Sequence, residues 1–213
     1  MTSDTKNEEH KATMQALQAE QKAKRAAASD PGRGLVLVHT GDGKGKSSSA
    51  FGVVIRALGW GHKVGVVQFI KGNWITGERQ FFKKLSGLSG LAEARLQPVD
   101  WHTMGEGFTW DTQDRQRDIA AAEAAFETAT TMMTSGAYDL VVLDEINIAL
   151  GFEYLSAETV KRALESRDKR TSVILTGRGA PDLVCAYADL VSEMGEIKHP
   201  YAAGIEAQKG IDF

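Results

Sequence analysis

The chain has 213 residues, of which 42% are hydrophobic and 25% charged, and its formal net charge at pH 7 is −3. This composition is typical of one soluble globular domain, and the slight negative charge gives no general attraction to nucleic acids. The single cysteine, Cys185, excludes an internal disulfide and a cysteine-based metal cluster. No apolar run approaches the roughly 20 residues that span a bilayer, and the charged N-terminal stretch lacks the apolar segment of a secretion signal. We therefore expect a cytoplasmic protein with neither nucleic acid nor membrane as a partner.

Residues 1–33 form a polar N-terminal arm that is rich in alanine, glutamine, lysine and glutamate, and residues 34–213 form the body of the chain. The arm has high helix propensity, but beyond the first residue Met14 and Leu17 are its only large apolar side chains. Two alternatives follow. The arm is either frayed and solvated, or it becomes helical and ordered over a ligand or a partner subunit.

A glycine-rich stretch follows the first apolar run of the body. It reads Thr40-Gly41-Asp42-Gly43-Lys44-Gly45-Lys46-Ser47-Ser48. A strand, a glycine-rich turn and a helix start predict a P-loop, whose backbone N–H groups turn toward nucleotide phosphates. Lys46 is then expected to reach the terminal phosphates, and Ser47 to offer a hydroxyl to magnesium. Thr40 stands where the consensus G-x-x-x-x-G-K-[S/T] has its first glycine, so the match to the consensus is incomplete.

Apolar strands and helical segments alternate along the rest of the body. We predict strands at 35–38, 63–70, 138–143, 171–177 and 189–194, and helices at 78–85, 111–135, 156–168 and 181–188, the second of these capped by Asp111. This alternation predicts an α/β fold of the P-loop NTPase-like (RecA-like) class, a three-layer sandwich with a mostly parallel central sheet. Ligands of such sheets bind at the carboxyl ends of the strands.

One predicted strand ends in two carboxylates, Asp144 and Glu145. This is the Walker B pattern, in which a strand adjacent to the P-loop strand presents an acid to the magnesium ion of a bound nucleotide. Together with the P-loop, the pair predicts a site for ATP with Mg²⁺ or Mn²⁺. A merely structural pair of acids is the alternative.

Three further side chains are candidates for ligand contact. Arg178 follows the strand at 171–177, and its planar guanidinium suits a phosphate or a carboxylate, although a surface arginine without a role remains the alternative. Phe108 and Trp110 lie in a loop between glycines, where packing and ligand contact are equally compatible with the pattern. The sequence shows no serine-histidine-acid set and no obvious base for a water, so the second reactant could bring its own nucleophile.

From about Arg33 to Phe213 the sequence resembles the ATP:corrinoid adenosyltransferases of cobalamin synthesis and salvage. The matching segments are Thr40–Ser47, Val66–Gly72, Gly77–Arg79, Gly107–Trp110, Leu143–Glu145, Thr176–Gly179 and Ala203–Asp212. The family's own threonine at the first P-loop position accounts for Thr40. The resemblance implies transfer of the 5′-deoxyadenosyl group of ATP to a Co(I) corrinoid, with inorganic triphosphate leaving. A hydrolytic P-loop ATPase or RecA-like motor is the competing hypothesis.

The resemblance also implies roles for individual residues. The P-loop, with Lys44 and Lys46, would hold the leaving triphosphate, while Ser47, Asp144 and Glu145 would serve the metal ion. Arg178 would assist at the phosphates. Phe108 and Trp110 match the aromatic residues that lie beneath the corrin in the family and keep a lower ligand off cobalt. The family further implies a homodimer, in which the N-terminal arm covers the corrinoid site, and a separate flavoprotein as reductant.

Overall fold

The computed structural model describes residues 3–70, 75–104 and 114–212. Clustering of the backbone divides the chain into two compact units, Met1–Gly32 and Arg33–Phe213. In the first unit, Ser3–Ala27 forms helix α1. Its side chains from Lys6 onward are exposed, and a salt bridge one turn apart on the helix, between Glu20 and Lys24, supports the helical conformation. Within the described residues, no helix combines the length and apolar content needed to cross a membrane.

The second unit alternates strands with helices. Its strands are β1 (Val36–Thr40), β2 (Val64–Gln68), β3 (Asp100–Thr103), β4 (Leu140–Asp144), β5 (Ser172–Thr176) and β6 (Leu190–Glu193). Its helices are α2 (Lys46–Gly59), α3 (Gly77–Ser86), α4 (Arg115–Thr134), α5 (Ile146–Gly151), α6 (Ala157–Ser166) and α7 (Asp182–Tyr187), with a 3₁₀ turn at Tyr201–Ala203.

These six strands form one parallel sheet in the order β3-β2-β4-β5-β1-β6. The expected α/β class with a parallel central sheet is therefore confirmed. The expectation that the strand ending in Asp144 lies beside the P-loop strand is wrong, because β5 lies between β4 and β1. Residues 173–176 of β5 are buried, as suits an interior strand covered on both faces. The P-loop strand and the Asp144 strand are thus two strand spacings apart, about 10 Å.

Helices cover both faces of the sheet, which gives three layers. Alternate residues of β4 point to opposite faces: Val141 and Leu143 belong to one hydrophobic cluster and Leu140 and Val142 to another. The first cluster is completed by α4, α5, α6 and α7, and the second by α2 and α3. The carboxyl edge of the sheet remains between the two helical layers, and the loops that leave this edge carry the candidate site.

The sequence placed one helix start incorrectly and missed one strand and one α-helix. Helix α4 is capped by Asp114, whose carboxylate accepts hydrogen bonds from the backbone N–H groups of Gln116 and Arg117 at 3.1 and 3.2 Å. Asp111, the cap expected from the sequence, lies outside the described residues. Strand β3 was not predicted because its four half-buried residues lack an apolar run, and α5 was not predicted because it has only six residues.

Strand β6 is fixed at the sheet edge by a bidentate ion pair. Arg33 donates to both carboxylate oxygens of Asp189, at 2.8 and 2.5 Å. The backbone N–H of Val36, the first residue of β1, donates to the same carboxylate at 2.9 Å. The hydrogen bond from Arg33 is the main reason that the pKa of Asp189 falls to about 2. The interaction therefore joins the start of β1 to the segment that leads into β6.

Asp189→Asn should lower the free energy of unfolding at pH 7 by about 1 kcal/mol, because it removes an exposed but bidentate ion pair. The pKa of Asp189 is depressed in the folded protein, so its contribution is complete above the unfolded value, about pH 4, and is lost as the pH falls through about 2. Urea unfolding of both proteins between pH 7 and pH 2 measures this difference, which should narrow in the acid range.

Glu123→Gln is the control, since this exposed carboxylate of α4 has no ion pair among the described residues. A difference between Asp189→Asn and the original protein that stays constant down to pH 2 would contradict the assignment.

Candidate active site at the carboxyl edge of the sheet

The glycine-rich loop joins β1 to α2, and its backbone conformation requires glycine at two positions. Gly41 has φ 93° and Gly45, the N-cap of α2, has φ 109°. Both values lie in the left-handed region, which other residues adopt only with strain. A glycine cap also brings no side-chain acceptor to the first turn of α2.

The loop packs closely against the segment that follows β6. The N–H of Gly43 donates to the carbonyl of Met194 at 2.7 Å, and the N–H of Met194 donates to the carbonyl of Thr40 at 2.9 Å. A Cβ atom on Gly43 would lie 2.6 Å from the carbonyl oxygen of Gly195, and one on Gly41 would lie 2.5 Å from that of Met194. Met194 and Gly195, which follow β6, therefore hold the shape of the glycine-rich loop through backbone contacts that only glycine permits.

Lys46 is the first residue of α2 and is 7% exposed. Its ammonium donates to the carbonyl of Gly43 at 2.6 Å, which holds the side chain across the loop. Beneath it, the Nδ1 atom of buried His39 lies 3.4 Å from the carbonyl of Lys46. Burial lowers the pKa of His39, so the imidazole is neutral at pH 7. The ammonium of Lys46 thus lies across the loop, and the imidazole ring next to the carbonyl of Lys46 is uncharged.

Thr40 has a structural role that explains why glycine is absent from this position. It is the last residue of β1, and its hydroxyl accepts a hydrogen bond from the N–H of Ala180 at 3.1 Å. The side-chain amide of Asn147 donates to the carbonyl of Gly177 at 3.1 Å. These two bonds fix both ends of the loop that follows β5 and carries the exposed Arg178.

The two carboxylates at the end of β4 have different environments. Asp144 is fully buried, and its oxygens accept hydrogen bonds from the hydroxyl of Thr176 at 2.8 Å and from the amide of Gln68 at 2.9 Å. Glu145 has φ 65°, and its N–H donates to the same Thr176 hydroxyl at 2.9 Å. A left-handed glutamate is a strained conformation of the kind that clusters at functional sites.

The donor atoms fit a magnesium ion that arrives with a nucleotide. Among the described residues, no group of three or more acidic, histidine or cysteine side chains could hold a metal ion by itself. Ser47, Asp144 and Glu145 offer hard oxygen atoms. Mg²⁺ is commonly bound by one or two carboxylates together with substrate phosphates. The oxygen atoms of the site therefore fit an ion that is shared with a triphosphate.

The C-terminal segment approaches the P-loop from outside. The ammonium of Lys44 forms an ion pair with Asp212, whose other carboxylate oxygen accepts from the N–H of Gln208 at 2.9 Å. The bond from Gln208, followed by that from Lys44, lowers the pKa of Asp212. A pocket of about 350 Å³ lies beside this contact, lined by residues of α2, α3 and 210–212.

Comparison with known proteins decides the family. The family model described as ATP:corrinoid adenosyltransferase BtuR/CobO/CobP matches residues 32–213. The chain belongs to this family. A corrinoid adenosyltransferase of Pseudomonas aeruginosa is 49% identical over 99% of this chain and 98% of its own length. The proteins of the same name from Sinorhizobium sp. and Escherichia coli K12 are 46% and 42% identical, over 85% and 89% of this chain and 81% and 90% of their own lengths.

Family membership confirms the resemblance seen in the sequence, and the fold gathers the predicted adenosyltransferase residues at one edge of the sheet. The loop Thr40–Ser48, the pair Asp144 and Glu145, and Arg178 all follow the carboxyl ends of β1, β4 and β5. Asp42 and Ser48 are exposed within the loop. Phe108 and Trp110 lie outside the described residues.

Sequence reasoning missed the residues that hold the candidate site together. Gln68, Thr176 and Asn147 are buried, and each makes a hydrogen bond to a residue or loop of the site. Gln68 and Thr176 share one recognisable signal, since each is the polar last residue of an otherwise largely apolar strand. Asn147 gives no comparable signal, because it lies in the short helix α5 that the sequence did not predict.

Gly43→Ala should weaken ATP binding about tenfold or more, because the added Cβ meets the backbone of Gly195 and forces the loop to move, at the cost of 1–3 kcal/mol typical of overpacking. Calorimetric titration with ATP measures the affinity, and thermal unfolding checks that the variant is folded.

Gly52→Ala is the matched control, since a Cβ on this helical glycine of α2 meets nothing within 4 Å. It should leave ATP affinity unchanged and stabilise the protein by about 0.5–1 kcal/mol through helix propensity. Equal ATP affinities for the two variants would show that the close packing against β6 does not shape the loop.

Proposed function

We propose that the chain transfers the 5′-deoxyadenosyl group of ATP to the Co(I) of a corrinoid and releases inorganic triphosphate. The observation that carries the proposal is the family match over residues 32–213, which includes the whole sheet and its carboxyl edge. The geometry at that edge agrees with it, because the glycine loop and the buried Lys46 suit a polyphosphate.

In this reaction the electron pair of Co(I) forms the bond between cobalt and C5′ of ATP. The bond between C5′ and its oxygen breaks, and its electron pair leaves with the triphosphate. Cobalt is formally oxidised from Co(I) to Co(III), and no proton has to be moved from a nucleophile. The protein is therefore required to align the reactants and to stabilise the negative charge that develops on the leaving group.

The P-loop supplies this stabilisation. The start of helix α2 at Lys46 would face the triphosphate, and the ammonium of Lys46 is already held at the loop by the carbonyl of Gly43. Lys44 contributes a second positive charge once the triphosphate competes with Asp212 for its ammonium. Arg178, on a loop fixed at both ends, binds the same anion from the end of β5.

We assign Ser47 and Glu145 as ligands of a magnesium ion that accompanies ATP, with Asp144 beside them; manganese has the same oxygen preference. When bound, the ion offsets part of the charge on the leaving triphosphate. The task of the chain is to keep these oxygen atoms oriented, and the strained backbone of Glu145 and the buried hydrogen bonds of Asp144 serve that task.

The remaining parts of the proposal follow from the family resemblance. Phe108 and Trp110 would contact the corrin face and exclude the lower ligand of cobalt, which makes Co(II) easier to reduce. The N-terminal arm, residues 1–33, would cover the corrinoid of a partner subunit in a homodimer, distinct from the catalytic body of residues 34–213. A separate flavoprotein would supply the electron, and the cytoplasm is the expected location.

Incubation of the protein with ATP, Mg²⁺ and chemically reduced corrinoid should yield one triphosphate for each adenosylated corrinoid, because a single bond at C5′ is broken. Chromatography of the nucleotide products and the light sensitivity of the corrinoid product measure this ratio. ADP or phosphate without an adenosylated corrinoid would instead indicate a hydrolytic P-loop ATPase, and unchanged ATP with bound corrinoid would indicate a binding protein.

Lys46→Ala should reduce kcat/KM about 100-fold or more, in the range seen when one charge-stabilising group is removed from an active site. Single-turnover assays with pre-reduced corrinoid measure the effect without interference from the reduction step. Lys84→Ala, which removes an exposed lysine of α3, is the control and should keep full activity. Equal rates for the two variants would contradict the role of Lys46.

A further inference from the structure

Gln68 lies at the centre of a buried polar network that the family assignment does not explain. It ends β2, is 2% exposed, and follows four residues without a polar side chain. In the sheet it is the register partner of Asp144 on one side and of Thr103 on the other. A buried polar side chain at this point costs desolvation unless every group is satisfied, so an apolar residue would serve packing alone better.

The direction of each hydrogen bond in this network is determined by chemistry. The indole N–H of Trp101 can only donate, and it lies 3.1 Å from Oε1 of Gln68, so that atom is the acceptor. The hydroxyl of Thr103 lies 3.4 Å from the same oxygen. The Nε2 group of Gln68 must then face the other way, and it donates to Oδ2 of Asp144 at 2.9 Å. Trp101 therefore fixes which side of the amide meets the carboxylate.

The hydrogen bonds on the β5 side of Asp144 also have directions that are set by chemistry. The hydroxyl of Thr176 accepts from the N–H of Glu145 at 2.9 Å and donates its single proton to Oδ1 of Asp144 at 2.8 Å. One chain of directed hydrogen bonds thus crosses β3, β2, β4 and β5. It holds Asp144 by both oxygens and ties the strained backbone of Glu145 to the same carboxylate.

We propose that Gln68 is a positioning residue for the reaction, which orients Asp144 so that the oxygen atoms of this carboxylate and of Glu145 are directed toward the magnesium ion of ATP. Trp101 supports it by fixing the orientation of its amide. The inference rests on the proposed function, but it concerns binding of the metal with ATP, which can be measured without any corrinoid.

Two substitutions of Gln68 separate positioning from packing. Gln68→Met keeps the length of the side chain and removes both polar groups. Gln68→Glu keeps an acceptor for Trp101 but turns an oxygen, instead of a donor, toward Asp144. Both should weaken binding of Mn²⁺, the probe ion, about tenfold or more in the presence of ATP, as measured by electron paramagnetic resonance. Trp101→Phe, which removes only the indole N–H, should weaken Mn²⁺ binding by a smaller factor.

Tyr138→Phe is the matched control. It removes a half-buried hydrogen bond of 2.8 Å to Asp100 at the opposite end of the same sheet, so it tests the effect of general destabilisation. It should leave Mn²⁺ affinity unchanged. In turnover assays, excess Mg²⁺ should restore the rate of Gln68→Met, whereas the KM for corrinoid should not change.

Unchanged Mn²⁺ affinity in a folded Gln68→Met variant would overturn the inference and leave Gln68 as a packing residue. Should that variant fail to fold, unchanged affinity in Trp101→Phe would have the same consequence. Failure of the proposed function is distinguishable, since the unmodified protein would then bind Mn²⁺ with ATP, respond to these substitutions as expected, and yet form no adenosylated corrinoid.

Discussion

The close approach of the P-loop backbone to the end of β6 is the constraint on which the rest of the site depends. Gly41 and Gly43 lie against the carbonyls of Met194 and Gly195 at distances that leave no room for a side chain. The loop can therefore keep its conformation only while the end of β6 stays in place at the sheet edge. The ion pair between Arg33 and Asp189, at the opposite end of that strand, also holds β6 at the sheet edge.

Strand β5 performs the second organising role, because it stands between the strand of the phosphate loop and the strand of the carboxylates. Its last residue, Thr176, is the register partner of His39 on β1 and binds Asp144 on β4. The loop that follows carries Arg178 and is bonded to Thr40 and to Asn147. Both halves of the site are thus hydrogen-bonded to β5 or to the loop that follows it, and a shift of either half would break these hydrogen bonds.

The sequence predicted the parts of this arrangement that follow from local pattern. Apolar runs revealed five of the six strands, and the glycine spacing revealed the P-loop, since both depend on residues that are neighbours in the chain. Strand order was not accessible, because the hydrophobic pattern of β4 is equally compatible with β1 or β5 as its neighbour. For the same reason, the sequence did not predict that Gln68, Asp144 and Thr176 share hydrogen bonds, since they belong to three separate strands.

The two lysines of the loop show how such a site can be charged and yet stable before a nucleotide binds. Lys46 is held by the carbonyl of Gly43, and Lys44 by the carboxylate of Asp212. An ammonium that is already oriented loses less conformational freedom when it takes a phosphate oxygen as its partner. The two contacts differ in strength, because a carbonyl dipole competes with phosphate less than a carboxylate does. In the proposed reaction, contact of the triphosphate with Lys44 would therefore require the C-terminal segment to give up an ion pair.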